Sequence, residues 1–118
     1  MKLTSIIDKI INLPIDFLNS ANISVYDLLE ATGYFANHRQ ISNDDILAGL
    51  SKHPHAVNEW LELSSNKRVD SGWYFEKKDS VYIVGYYDIN SNKLETYNNP
   101  NEACAAFIKY EIEDVRRS

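Results

Sequence analysis

The strongest constraint on the fold is a change in the spacing of apolar residues about halfway along the chain. Up to about residue 64, apolar side chains recur every three or four positions, as they do on amphipathic helices. From residue 72 they recur every second position, and aromatic and β-branched residues become frequent, as in strands. A polar, turn-forming segment at 64–72, SSNKRVDSG, separates the two patterns. The chain is therefore predicted to have an α+β fold.

The first half predicts a series of short helices. Apolar residues at 3, 6, 7 and 10 have the spacing of an amphipathic first helix. Pro14 fits the first turn of a second helix that ends near Asn19. Ser24 with Asp27 three residues later resembles a capping box. The helix that it opens should end near Gly33, because glycine readily adopts the left-handed conformation found after helix ends.

Two further helices complete this half. Ser42 and Asp45 repeat the capping-box spacing. Pro54 predicts the first turn of the last helix, and Val57 and Trp60 fall on its apolar face. Residues 1–64 are thus expected to form a helical half.

The second half predicts a three-stranded antiparallel meander and a C-terminal helix packed on the sheet. The strands are expected at residues 73–78, 81–87 and 93–97, with a tight turn at 79–80 and a longer one at 89–92. Asn99, Pro100 and Glu102 supply a cap, a first-turn proline and a third-position carboxylate for a helix that runs to about Val115. We expect one domain over residues 1–118, with the meander and last helix at 72–115.

The strand pairing follows from the lengths of the turns. A two-residue first turn places Trp73 opposite Tyr86. A four-residue second loop would place Glu95 beside that tyrosine, and Tyr97 beside Val84. One face of the sheet then carries Trp73, Phe75, Tyr82, Val84, Tyr86 and Tyr97, and the other carries Tyr74, Val81, Ile83, Gly85, Tyr87 and Leu94.

Both faces of this meander are more apolar than a half-solvated antiparallel sheet requires. Two interpretations remain open at this point. In the first interpretation, helices cover both faces and the tyrosine hydroxyls reach the rim of the sheet. Alternatively, part of one face is exposed and its tyrosines form a recognition surface, since Tyr and Trp suit interfaces.

The predicted last helix places Glu111 on its apolar arc, close to Phe107 and Ile112. A carboxylate in such a position is costly unless it is paired or hydrogen-bonded. Glu111 either meets a tyrosine hydroxyl, a basic side chain or solvent, or it is a semi-buried acid where helix and sheet meet. Cys104 on the same arc is expected to be a small core residue.

The sequence does not predict an enzyme. The sequence has a single cysteine, Cys104, which excludes an internal disulfide. The apolar residues around Cys104 favour an inert thiol. His53 and His55 flank Pro54 without evident further ligands, so neither a metal site nor a cofactor is expected. The four glycines are too scattered to form a phosphate-binding loop.

Charge and hydropathy narrow the choice of partner. The net charge of −5 makes nucleic acid an unlikely partner and favours a basic one. Asp8 and Lys9 interrupt the N-terminal apolar run, so it does not resemble a signal peptide. No segment approaches the roughly 18 consecutive apolar residues of a membrane span. The sequence therefore predicts a soluble protein of the cytoplasm that has no membrane partner.

Two binding functions remain. A winged-helix nucleic-acid binder would have this order of elements, with the hairpin as the wing. Its recognition helix would be HAVNEWLELSS, which contains two glutamates and no Lys or Arg before Lys67 and Arg68. Lys77 and Lys78 at the first turn would be the only other support. The other function is a protein-binding module whose acidic surface neutralises a basic partner.

The segments LSSNKRVDSGWYF, YIVGYYD and ACAAFIKYEIEDV resemble a pattern of small bacterial immunity proteins. Such proteins are encoded beside polymorphic toxins, including those of contact-dependent growth inhibition systems. The resemblance covers roughly residues 58–115. It implies tight binding to a cognate toxin C-terminal domain, often a nuclease, and no enzymatic role.

A basic nuclease domain would suit an acidic inhibitor, which gains steered association and charge complementarity. The inhibitor would cover the active site or block the access of substrate. We expect the contacts to come from tyrosines and acids of the meander and last helix, with two acids of the helical half as second choices. These residues are Tyr82, Tyr86, Asp88, Glu95, Tyr97 and Glu111, and then Asp44 and Asp45.

Overall fold

The computed structural model describes residues 2–19, 23–65, 72–88 and 91–117, and it confirms the α+β fold. Helices occupy the first half, and a three-stranded antiparallel sheet and a long helix follow. The described helices are α1 (Lys2–Ile11), α2 (Leu13–Asn19), α3 (Val25–Ala31), α4 (Tyr34–Asn37), α5 (Asn43–Leu50), α6 (Ala56–Ser65) and α7 (Pro100–Arg117), with a 3₁₀ turn at His38–Gln40. The strands are β1 (Gly72–Lys78), β2 (Val81–Asp88) and β3 (Ser91–Tyr97).

Local side-chain chemistry sets the helix starts, as predicted. The Ser24 hydroxyl accepts a hydrogen bond from the Asp27 N–H at 3.1 Å, which caps α3. Ser42 and Asp45 form a complete capping box before α5, with each side chain accepting from the other residue's backbone N–H. Gly33 has a φ of 92°, so it takes the predicted left-handed conformation.

The structure confirms one prediction at a helix end and corrects another. α3 ends at Ala31, near Gly33 as predicted, and α4 begins directly at Tyr34. Pro54 does not lie in the first turn of a helix. It belongs to the turn before α6, which begins at Ala56. In that turn His53 Nε2 lies 3.1 Å from Asp8 Oδ1, so the turn contacts α1.

The register of β1 against β2 is the predicted one, with Trp73 opposite Tyr86 and Phe75 opposite Val84. A two-residue turn joins these strands, and Asp79 within it has a φ of 58°. Aspartate tolerates this left-handed conformation better than most residues.

The predicted register of β3 is wrong by two residues. Glu95 lies opposite Val84, and Tyr97 lies opposite Tyr82. The cause is strand length, because β2 continues to Asp88 and β3 begins at Ser91, so only two residues separate the paired ends. A shift of two leaves every side chain on its predicted face, since strand side chains alternate with a period of two.

The main core lies between the helices and one face of the sheet. Phe107 of α7 contacts both Phe75 and Trp60, with ring centroids 5.5 and 6.0 Å apart. Trp60 Nε1 donates to the carbonyl oxygen of Ile11 at 3.0 Å, which ties α6 to the end of α1. The buried cluster therefore draws on residues from both halves of the chain.

Some predictions fall outside the described residues. The central part of the predicted linker, residues 66–71, lies outside them, and it includes Lys67 and Arg68. The connection at residues 89 and 90, predicted as part of a longer turn, also lies outside them.

Candidate functional site

Helix α7 covers the inner sheet face, which we define as Trp73, Phe75, Tyr82, Val84, Tyr86, Glu95 and Tyr97. The Trp73 ring stacks on Tyr110 of α7 with centroids 4.0 Å apart and planes nearly parallel. Tyr82 and Tyr97 are half-buried and pack against the core, while Tyr86 packs edge-on against Trp73. Three of the nominated contact residues are thus tyrosines of the face that α7 covers.

Glu95 joins β3 to α7 at the edge of this face. Its two carboxylate oxygens accept hydrogen bonds from the hydroxyls of Tyr97 at 2.6 Å and Tyr110 at 2.8 Å. Burial and the bond to Glu95 raise the pKa of the Tyr97 hydroxyl. The bond to Glu95 is also the main cause of the raised pKa of Tyr110. The Glu95 carboxylate therefore already has intramolecular partners.

The other nominated acids belong to α5, to the end of β2 and to α7. Asp44 is exposed in the first turn of α5, and Asp45 belongs to the capping box there. Glu111 is half-buried on α7 and interacts with its surroundings, as an acid on an apolar arc requires. Asp88 ends β2 opposite Ser91, and its side chain lies outside the described residues. The nominated residues are therefore distributed over α5, the sheet and α7.

The opposite side of the sheet, which we name the outer sheet face, carries Tyr74, Val81, Ile83, Gly85, Tyr87 and Leu94, together with the polar residues Glu76, Lys78 and Thr96. Tyr87 is 53% exposed and Leu94 is 60% exposed. α6 lies beside the edge of β1, where the Phe75 N–H donates to the Ser64 hydroxyl at 2.7 Å. Exposed apolar side chains on an ordered sheet are a typical feature of protein-binding surfaces.

Gly85 allows a close aromatic contact in the middle of the outer sheet face. A β-carbon on Gly85 would lie 2.5 Å from the tip of the Tyr74 ring and 2.8 Å from the Lys93 carbonyl oxygen. Tyr74 is the cross-strand partner of Gly85, so its ring lies over the glycine backbone. This packing places an aromatic ring against the backbone at the centre of the face.

A polar cluster that the sequence did not predict fixes α7 against α4 and against Ile41, which precedes α5. The buried Tyr34 hydroxyl donates to Glu113, and Lys109 Nζ donates to the Tyr34 hydroxyl at 3.0 Å and to the Ile41 carbonyl oxygen at 2.7 Å. Arg116 donates twice to the Glu113 carboxylate, at 2.9 Å each. The sequence signal for this cluster is the spacing of oppositely charged residues on α7. Lys109 and Glu113 are four positions apart, and Glu113 and Arg116 are three apart.

The environment of this cluster shifts the protonation of its members. Hydrogen bonds from Arg116 and Tyr34 lower the pKa of the Glu113 carboxyl to about 2, although burial opposes the shift. Burial raises the pKa of the Tyr34 hydroxyl, and the bond to Glu113 adds to the shift. Burial lowers the pKa of Lys109. The cluster therefore holds a charged Glu113 at neutral pH, which suits a structural clamp.

A second apolar surface lies on the helical half and was also missed. Six of the eight exposed large apolar side chains of the described residues fall between residues 15 and 26. Three of them line a groove between α2 and α6, which we name the α2–α6 groove. Its lining residues are Pro14, Ile15, Phe17, Leu18, Glu59, Glu62 and Leu63. The signal was the segment LPIDFL, which has more apolar residues than one face of a short helix can bury.

Other chemistry was sought in the described part of the chain. Cys104 is fully buried, and burial raises the pKa of its thiol, so it is held as the unreactive neutral form. Among the described residues, no three His, Cys, Asp or Glu side chains gather where they could hold a metal ion. None of the described helices is both long and apolar enough to cross a membrane.

The described residues thus present one exposed apolar surface on the sheet and another between helices. Both are suited to binding another protein, because burial of exposed apolar area is the main favourable contribution to such association. Comparison of the chain with protein-family models, with curated proteins and with solved structures finds no match.

Proposed function

We propose that this protein is an immunity protein that binds a cognate toxin domain in the cytoplasm and neutralises it. The observation that carries the proposal is the outer sheet face, where Tyr87 and Leu94 stand exposed around the Tyr74 ring. The resemblance of residues 58–115 to immunity proteins implies the class of partner. A rigid aromatic surface can bind tightly because little side-chain entropy is lost on binding.

The outer sheet face is a better contact surface than the tyrosines first nominated. Tyr82 and Tyr97 already bury much of their rings against the core, so they have little area left for a partner. Tyr87 and Leu94 remain largely accessible. In antiparallel sheets with one covered face, the other face normally carries polar side chains. Apolar side chains there are explained if a partner covers them.

The charge of the chain favours a basic toxin domain. The net charge is −5, and a nuclease that binds phosphate chains tends to be basic. Opposite charges accelerate encounter, and the bound inhibitor would cover the active site or block the access of nucleic acid. This mode of action is binding without catalysis.

The proposal is tested by co-expression with the C-terminal toxin domain encoded beside the gene. We expect the two chains to purify as a stable complex, and we expect cells that make both to survive the toxin. A matched control replaces the protein with an immunity protein of a different toxin. Survival without a complex, or a complex without survival, would contradict the proposal.

The same purified protein distinguishes the winged-helix alternative. A winged-helix protein would place α6 against DNA. On α6, however, Glu62 is exposed and Glu59 is half-buried. These carboxylates would repel phosphates. Binding of duplex DNA that weakens steeply with salt would support a nucleic-acid-binding function in place of the immunity function.

A further inference from the structure

We propose that the α2–α6 groove is a second docking surface, which takes the apolar side chains of a basic amphipathic helix of a protein partner. This surface is distinct from the outer sheet face, and the inference does not depend on the toxin. It rests on the shape of the groove, on its apolar lining and on the sign of the charge at its wall.

The size of the groove favours peptide side chains over a small molecule. Its volume is about 240 Å³. Pockets for drug-sized ligands are usually larger, roughly 300–1,000 Å³, and more enclosed. Ile15, Phe17 and Leu18 present apolar surface from α2, and Leu63 presents it from α6. A helix that places side chains at i, i+3, i+4 and i+7 can fill such a groove.

The exposure of Leu18 is the most unusual feature of this lining. Its side chain is 75% exposed, the highest fraction among the exposed large apolar residues. Pro14, one turn earlier, is buried and fixes the start of α2 against the body of the protein. The groove is therefore present before any partner binds, so a partner need not order α2.

The charge at the groove identifies the kind of helix that fits. Glu59 and Glu62 line the α6 wall, and none of the described lining residues is basic. The sequence from residue 10 to residue 37 contains no Lys, Arg or His, while Asp16 lies exposed on α2. An apolar floor beside the carboxylates of Glu59 and Glu62 matches apolar side chains flanked by Lys or Arg.

The same charges disfavour the other possible occupants. In a symmetric dimer through this groove, two copies would bring Glu59 and Glu62 close to the same residues of the partner, and like charges repel. An anionic lipid surface would meet the same repulsion. A basic amphipathic helix gains from both the apolar floor and the acidic wall.

The direct test uses two synthetic helices of about 18 residues, long enough to fold partly in water. Both carry Leu at i, i+3, i+4 and i+7, and one has Lys and the other Glu at the remaining positions. Binding of each labelled peptide to the purified protein is measured by fluorescence anisotropy at two salt concentrations. We expect the Leu/Lys peptide to bind, more weakly at high salt, and the Leu/Glu peptide not to bind.

Matched variants locate the binding site. Leu18→Ser should weaken binding of the Leu/Lys peptide about tenfold, whereas Val25→Ser, which truncates an exposed apolar side chain of α3, should leave it unchanged. Glu62→Lys should weaken binding, and Asp114→Lys, which reverses an exposed charge on α7, should not. Phe17→Ser provides a second test of the apolar floor, and thermal melts confirm that each variant is folded.

Several outcomes would overturn the inference. Equal effects in the two members of either matched pair would show general attraction to an acidic surface. Equal binding of the Leu/Glu peptide would show that charge plays no part. Dimers that Leu18→Ser abolishes, seen by sedimentation, would make a second copy the occupant. Binding to vesicles rich in phosphatidylserine that Leu18→Ser abolishes would make it a membrane surface.

Discussion

At the scale of single residues, the Glu113 carboxylate accepts three hydrogen bonds in the described structure. Arg116 donates to it twice, and the buried Tyr34 hydroxyl donates to one of the same oxygens. Lys109 then bonds the Tyr34 hydroxyl from the other side. Charge-assisted hydrogen bonds of this kind are stronger than neutral ones, so this cluster should contribute measurably to the free energy of unfolding.

The first prediction concerns the pH dependence of stability. The pKa of Glu113 is about 2 in the folded protein, below its ordinary value of 4.5. The charged carboxylate therefore stabilises the fold fully above about pH 4.5, and this contribution is lost as the pH falls towards 2. Glu113→Gln should lower the free energy of unfolding at pH 7 by about 1–3 kcal/mol, because it weakens bonds to a buried donor and to Arg116.

The control for this prediction is Asp114→Asn, which removes the same charge from an exposed neighbour on α7. Urea unfolding at a series of pH values between 2.5 and 7, each about one pH unit apart, measures both variants. We expect the loss of stability on acidification to be smaller in Glu113→Gln than in the native protein or in Asp114→Asn. If acidification lowers the free energy of unfolding equally in all three proteins, Glu113 does not cause the acid sensitivity.

At the scale of elements, Gly85 decides how closely β1, β2 and β3 can pack at the outer sheet face. The Tyr74 ring and the Lys93 carbonyl oxygen occupy the space that a side chain at this position would need. The ring can rotate away, but the carbonyl belongs to the backbone of β3. A side chain at this position would therefore disturb strand pairing as well as the ring contact.

The second prediction follows from this crowding. Gly85→Ala should destabilise the protein by about 1–3 kcal/mol, measured by urea unfolding, because a methyl group is forced into filled space. A substantial part of this cost should persist when Tyr74→Ala is present in both proteins, since the clash with Lys93 remains. If Gly85→Ala no longer destabilises the protein once Tyr74→Ala is present, the contact with the Lys93 carbonyl oxygen is not the cause of the destabilisation.

The elements could be predicted wherever their signals are local. The capping box at Ser42 and Asp45 and the asparagine cap at Asn99, whose side chain accepts from the Glu102 N–H at 3.0 Å, involve residues three positions apart. The β3 register was wrong because it depends on where β2 ends, and the alternation of side chains is the same for a shift of two. The start of α6 was missed because proline suits a turn as well as a first helical turn.

At the scale of the whole molecule, the sequence predicted the members of each sheet face but not which face the helices cover. Alternation assigns Tyr82 and Tyr87 to opposite faces, and nothing local distinguishes them. The choice is made by long-range packing, chiefly by Trp73 on Tyr110 and Phe75 on Phe107. The tyrosines that were expected to contact the partner therefore lie on the face that α7 covers. The exposed apolar side chains lie on the outer sheet face.

The central claim is that the outer sheet face binds the toxin domain, and the affinity of single variants tests it most directly. Calorimetric titration of the neighbouring toxin domain compares the native protein with Tyr87→Ser, Leu94→Ser and the control Val25→Ser, which truncates an exposed apolar residue of α3. Each outer-face variant should bind at least about tenfold more weakly, and Val25→Ser should bind as the native protein does. Unchanged affinity in both Tyr87→Ser and Leu94→Ser would contradict the claim.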